Sequence, residues 1–111
     1  MNIIEPSKQI YTDIDSCYSY IKESLLEPDT ALNLLLSIDK KVKQIIFVPE
    51  AYPLVNNRYL ASQGVRASNV KKYTLFYRFN AENKVIELLR FLPGGMDWAK
   101  VLTNDFKDDE G

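Results

Sequence analysis

The chain has 111 residues, 46% of them hydrophobic, which fits one compact domain with a real core. It has no histidine and one cysteine, Cys17, which excludes Ser/His and Cys/His nucleophiles, an internal disulfide and a conventional zinc site, so we expect no metal and no cofactor. The net charge of −1 is uneven, because residues 1–29 carry −4, residues 30–104 carry +6 and residues 105–111 carry −3, and the basic middle suits an anionic or acidic partner.

The first half of the chain predicts a short strand and two helices. Residues 2–4 have room only for a short strand. Apolar residues then recur at three- and four-residue spacing, which predicts a helix over about 8–26. Pro28 breaks this helix and starts a second one, which ends by Val48. Because the break is short, we expect the two helices to pack as an antiparallel hairpin.

The second half predicts a sheet. Residues 49–63 carry two prolines and two asparagines with no sustained period, which indicates a connecting loop or a short irregular turn. Strands are predicted over 64–70, 72–80 and 84–92, and the last two form a hairpin about the turn "AEN". In the middle strand, alternation places every second residue, from Tyr73 to Phe79, on one face.

The end of the chain predicts a short helix and a tail. The helix is predicted over "MDWAKVLTNDF". Because the last seven residues are rich in acids, we expect one domain over residues 1–104 and an acidic, flexible tail over 105–111. Gly94 and Gly95, before this helix, lack the spacing and the Lys and Ser/Thr of a phosphate-binding loop, and are expected to turn the chain. No signal peptide or membrane-length apolar stretch is present, so we expect a cytoplasmic protein that does not meet a membrane.

This order of elements resembles the RelE/ParE toxin superfamily of bacterial toxin-antitoxin modules. The resemblance covers nearly the whole chain and is carried by "YSYIKESLLEPDTALNLLLSI", "FVPEAYPLV" and "GVRASNVKKYTLFYRFNAENKVIELLRFLPGGMDW". It implies an α+β fold in which a short N-terminal strand precedes an antiparallel helical hairpin. The hairpin packs on a three- to four-stranded, mainly antiparallel sheet, and a short C-terminal helix follows. It also implies a cognate antitoxin protein as partner.

The superfamily divides mainly into ribosome-dependent mRNA endonucleases of the RelE kind and DNA gyrase inhibitors of the ParE kind. The nucleases need a basic cluster on the sheet, with a Tyr or His to move protons. At positions where nucleases carry basic residues, this chain has Val65, Ala67 and Thr74, and Pro93 stands where many relatives have histidine.

We therefore expect a ParE-like toxin that binds DNA gyrase, with no catalytic residue and no small-molecule substrate. An mRNA endonuclease acting on the ribosome is the first alternative. A decayed toxin that only binds its antitoxin is the second.

Seven residues are candidates for binding the target or the antitoxin. They are Arg66, Lys72, Arg78, Arg90, Trp98, Leu32 and Leu36. Each also has a structural interpretation: the arginines could pair with acids of the hairpin or with Glu87, Lys72 could be a solvated edge, and Trp98 could anchor the last helix. Leu32 and Leu36 lie beside the main apolar stripe of the second helix, so the first helix could cover them. We expect Tyr73, Tyr77 and Cys17 to be structural.

Overall fold

A four-stranded sheet lies between two layers of helices in the computed structural model, which describes the backbone of residues 1–110 and the side chains of residues 1–108. In chain order the elements are β1 (Ile3–Pro6), α1 (Lys8–Ser19), α2 (Pro28–Phe47), α3 (Arg58–Ser62), β2 (Val65–Val70), β3 (Tyr73–Asn80), β4 (Val85–Pro93) and α4 (Trp98–Glu110).

Helix α1 starts at a side-chain cap and ends in a wider turn. The Ser7 hydroxyl accepts the backbone N–H of Ile10 at 3.1 Å, as an N-cap residue does. The helix continues as a π-helical turn, Tyr20–Ser24, so the predicted span of 8–26 is correct in position but not in helix type over its last turn. Leu26 then adopts a φ of +57°, and the Glu27 N–H bonds the carbonyl of Ile21 at 3.0 Å.

Helix α2 begins at Pro28, as predicted, because proline fits the first helical turn, where a backbone N–H has no helical acceptor. Its buried side chains recur at helical spacing and pack against the sheet together with those of α1. They are Ala31, Leu34, Ile38 and Ile45.

The strand order in the sheet is β1-β4-β3-β2. Strands β2, β3 and β4 form the predicted antiparallel meander, and β1 joins the edge of β4 in parallel. The register of β3 against β4 shifts between Phe76 and Tyr77, which marks an irregularity opposite Leu89 and Arg90. The α+β architecture predicted from the sequence is therefore confirmed.

Both faces of the sheet are covered. Tyr77 and Leu75 point into the core beneath the helical hairpin, whereas Phe76 points to the opposite face. There it packs in a second core beneath α3 and α4. The buried members of this second core are Val55, Leu60, Val65, Phe76, Leu92, Leu102 and Phe106.

Two predictions fail on this second face. The segment 49–63 is not all loop, since the Asn57 side chain accepts the Leu60 N–H at 3.0 Å and caps α3. Leu60 is fully buried and anchors that helix. The folded domain also extends past residue 104, because α4 continues to Glu110 and Phe106 is buried, while Gly111 lies outside the described residues.

The glycines after β4 turn the chain, as expected. Gly95 has a φ of +87°, a conformation that only glycine adopts without strain. The Gly94 N–H donates to the Lys72 carbonyl at 2.9 Å, so this turn rests against the turn between β2 and β3.

Among the described residues, no helix combines the length and the apolarity needed to cross a membrane.

Candidate functional interfaces

Arg90 lies at the irregular part of β4, where it joins three elements. Its Nε and Nη2 donate to the two carboxylate oxygens of Asp13 on α1 at 2.7 and 2.8 Å. Its Nη1 donates to Asp105 on α4 at 3.2 Å. Hydrogen bonding to Asp13, and secondarily to Asp105, raises the pKa of Arg90 against the opposing effect of burial. The Arg90 guanidinium is therefore bound by two carboxylates inside the fold.

The Asp13 carboxylate also accepts the backbone N–H of Phe91 at 3.0 Å. The side chains of Asp13 and Arg90 are only 10% and 17% exposed, so this cluster lies mostly away from water. No pattern in the sequence predicted Asp13 or Asp105 as a partner of Arg90. The acidic charge of both chain ends was a weak signal for such pairing, but it did not specify which residues meet.

Arg78 is also paired. It forms an ion pair with Glu87, its cross-strand neighbour on β4, as the structural interpretation of the sequence suggested. Its guanidinium carbon lies 4.9 Å from the centre of the Phe106 ring on α4. Arg78 therefore fastens α4 to the sheet.

Arg66 contacts backbone, not an acid of the hairpin. Its Nη1 donates to the carbonyl of Tyr52 at 2.6 Å and to that of Glu50 at 3.4 Å. It also forms a β-bridge with Leu54. Arg66 thus holds the segment before α3 against the edge of β2. All three sheet arginines have acceptors within the protein: Arg78 and Arg90 pair with carboxylates, and Arg66 donates to backbone carbonyls.

Trp98 lies at the start of α4 and is half-buried. Its ring stacks on Phe76 with the ring centres 5.3 Å apart. The residue therefore anchors α4, and binding of a partner by its remaining exposed part stays a prediction.

The positions of Tyr73 and Tyr77 on β3 and of Cys17 on α1 indicate structural roles. Tyr77 is fully buried and donates its hydroxyl to the Pro49 carbonyl at 2.6 Å, and burial raises its pKa to about 12. Tyr73 stacks on Phe91 at 5.2 Å, and burial raises its pKa too. Burial, followed by the charge of Asp13, raises the pKa of Cys17 to about 11. None of the three groups is poised to give up a proton near neutral pH.

Three large apolar side chains of α2 face outward, and the exposed Asp39–Lys43 ion pair lies between the second and the third. Leu32 and Leu36 are 52% and 60% exposed, so α1 does not cover them. Phe47, which was not among the predicted site residues, is 86% exposed. At about 100° per residue, these three side chains fall within about 60° of each other around the helix, opposite its buried side. The same arithmetic could have found Phe47 from the sequence. We call Leu32, Leu36 and Phe47 the outer stripe of α2.

The two sheet edges offer little free backbone. β1 has four residues and ends in Pro6, which lacks a backbone N–H. The edge of β2 is partly covered, since the Val55 N–H bonds the carbonyl of Val65 and the Ala67 N–H bonds that of Pro53. Lys72 is exposed in the turn between β2 and β3. The described surface therefore presents an apolar helix face more clearly than an open strand.

Residues 4–98 match the family model described as "ParE toxin of type II toxin-antitoxin system, parDE". The fold is similar to a solved structure titled "Chromosomal ParDE TA system from P. aeruginosa", with a TM-score of 0.66 and 21% sequence identity. That match covers 84% of this chain and 96% of the other, and at this identity it establishes the fold. The comparison with curated proteins gives no match. Since the family model spans most of the chain, the protein belongs to the ParE toxin family of type II toxin-antitoxin systems.

Proposed function

We propose that this protein inhibits growth by binding DNA gyrase, without catalysing a reaction, and that a cognate antitoxin neutralises it. Membership of the ParE family supports the toxin role. The observation that carries the choice of mechanism is that Arg66, Arg78 and Arg90 all donate to acceptors inside the protein.

Cleavage of RNA without a metal requires free positive charge beside the scissile phosphate and a group that exchanges a proton near neutral pH. Arg78 and Arg90 are ion-paired, Arg66 donates to backbone carbonyls, and burial raises the pKa values of Tyr73 and Tyr77. The chain contains no histidine to take their place. These features favour a binder over a nuclease.

The outer stripe of α2 is the proposed site for the antitoxin. It presents large apolar side chains at helical spacing, which fits a partner that lays an amphipathic helix across it. Strand addition is less favoured, because Pro6 limits one sheet edge and the segment around Leu54 covers part of the other.

The test is a pair of measurements on the wild-type chain. Expression alone should stop bacterial growth, and co-expression with the small protein encoded by the neighbouring gene should restore it. The purified toxin should inhibit DNA supercoiling by gyrase in vitro.

Two outcomes would contradict this proposal. If supercoiling is unaffected while ribosome-bound mRNA is cut, the protein is a nuclease. If expression alone is harmless although the neighbouring protein binds, the chain serves only as an antitoxin partner.

A further inference from the structure

A groove runs between the C-terminal half of α2 and the turn that joins β2 to β3. It has a volume of about 270 Å³. Its lining residues are Ser37, Lys40, Lys41, Gln44, Asn69, Val70 and Lys71. We call it the lysine groove. It flanks the outer stripe of α2, because Lys41 and Gln44 lie on the side of the helix between that stripe and the buried face.

The lysines of this groove lack acidic partners. The ion pairs among the described residues include neither Lys40, Lys41 nor Lys71. The nearby carboxylate of Asp39 is bound to Lys43 at 2.9 Å. No acid of the described ion pairs therefore balances the positive charge of the groove, whereas Arg78 and Arg90 are balanced by carboxylates.

Lys41 is held in place before any ligand arrives. Its ammonium lies 4.9 Å from the centre of the Tyr52 ring and donates to the Tyr52 hydroxyl at 3.4 Å. That hydroxyl donates in turn to the side-chain oxygen of Gln44 at 3.3 Å. Less side-chain entropy is then lost when this charge meets an anion.

Lys71 occupies a position where glycine would be more stable. Its φ is +55°, a left-handed conformation that is unfavourable for a residue with a Cβ atom. The Lys71 side chain forms none of the side-chain hydrogen bonds or ion pairs of the described residues, so no such interaction offsets this strain. Lys84, in the turn between β3 and β4, has a φ of +57° but lies outside the groove, so it provides a matched control.

We propose that the lysine groove binds an acidic segment of a partner protein, one that places at least two neighbouring carboxylates against Lys40, Lys41 and Lys71. This inference does not depend on gyrase being the target. The lining contains no arginine for bidentate contact with phosphate and no aromatic ring to stack on a base. The net charge of −1 also disfavours a long polyanion, whereas a short acidic segment meets only the local charge.

The test uses a fluorescein-labelled hexaglutamate peptide and fluorescence anisotropy at low ionic strength, with a hexaglutamine peptide as the uncharged control. The double variant Lys40→Ala/Lys71→Gly should weaken hexaglutamate binding about tenfold, because two exposed contacts between opposite charges are lost. The matched variant Lys84→Gly/Lys100→Ala makes the same change in net charge outside the groove and should leave the affinity within about twofold. Lys71→Gly and Lys84→Gly should both raise the melting temperature, so weaker binding cannot be ascribed to unfolding.

Three results would overturn the proposal. If the two double variants lowered the affinity for hexaglutamate equally, binding would depend only on the net charge of the protein. If hexaglutamate did not bind, the lysine groove would not be a site for acidic segments. Tighter binding of a DNA duplex than of hexaglutamate, with the same dependence on Lys40 and Lys71, would assign the groove to nucleic acid instead.

Discussion

Asp13 is the residue on which several elements depend. Its carboxylate holds Arg90 through two hydrogen bonds and also accepts the backbone N–H of Phe91, so it joins α1 to the irregular part of β4. Arg90 in turn reaches Asp105 on α4. The cluster is mostly buried, and a charge left without its partner there is expensive.

Replacing Asp13 by alanine should therefore lower the free energy of unfolding by about 2–4 kcal/mol, because Arg90 and the Phe91 N–H both lose an acceptor. Urea denaturation measures the change. Asp39→Ala, which removes an exposed i,i+4 partner of Lys43, is the control and should change stability by less than about 0.5 kcal/mol. Similar losses in the two variants would contradict the structural role assigned to Asp13.

Cys17 should react slowly with alkylating reagents. Burial and the charge of Asp13 raise its pKa from 9.0 to about 11, so at pH 8 roughly one thiol in a thousand is ionised instead of one in ten. We expect iodoacetamide to label the folded protein at least about 100-fold more slowly than the protein in urea. Labelling at the rate of an exposed cysteine would show that α1 does not bury this side chain.

The same shift predicts a pH dependence of stability. Because the folded pKa of Cys17 lies above the unfolded value of 9.0, its contribution is complete below that pH and is lost as pH rises toward 11. A Cys17→Ala variant should therefore lose less stability than the wild type over this alkaline range. This comparison removes the effects of other groups that titrate there, such as tyrosines.

At the scale of elements, α4 is part of the fold and not a mobile appendage. Phe106 packs edge-on against Tyr59 of α3 at 6.4 Å and lies beneath the guanidinium of Arg78. Periodicity placed the start of this helix correctly, but the run of acids after it suggested a flexible tail. The sequence could not reveal that Arg78 and Arg90 would hold the last turns.

Phe106→Ala should lower the free energy of unfolding by about 2–3 kcal/mol, because the second core loses a buried ring. Asp108→Ala, an exposed change on the same helix, should have an effect within about 0.5 kcal/mol. Thermal or urea unfolding distinguishes the two. If Phe106→Ala left the free energy of unfolding unchanged, the domain would end at residue 104, as predicted from the sequence.

The outer stripe of α2 gives a prediction about the antitoxin. Leu32→Gln/Leu36→Gln should weaken binding of the co-expressed antitoxin at least tenfold, since large apolar contacts dominate such interfaces. Glutamine keeps a good helix propensity, so the fold should persist. Leu54→Gln, an exposed leucine beside the edge of β2, is the control. Loss of binding in the control variant alone would move the site from the helix to the sheet edge.

At the scale of the whole molecule, β3 couples the two cores. Tyr77 packs under the helical hairpin, while its neighbour Phe76 packs under α4. Unfolding either side therefore removes packing from the same strand, and we expect one cooperative transition. Fluorescence of Trp98, which is the one tryptophan of the chain and lies in the second core, should follow the same urea curve as the helical circular dichroism. An earlier fluorescence change would mean that the α4 side opens independently.

The sequence by itself determined the order of the elements and the family, because helix and strand periods and the breaks at Pro28 and Gly95 are local properties that persist in the fold. It missed α3, whose single turn depends on the Asn57 cap and on the burial of Leu60, and too few residues are involved to show a period.

Only the tertiary structure decided which charges remain available. The uneven distribution along the chain suggested an outward positive face, yet Arg90 pairs with Asp13 and Asp105, which are 77 and 15 residues away. Pairing over such distances depends on how helices pack on the sheet, and no local pattern encodes it. As a result, the sheet arginines are used to stabilise the fold, and the free positive charge of the lysine groove lies beside α2 instead.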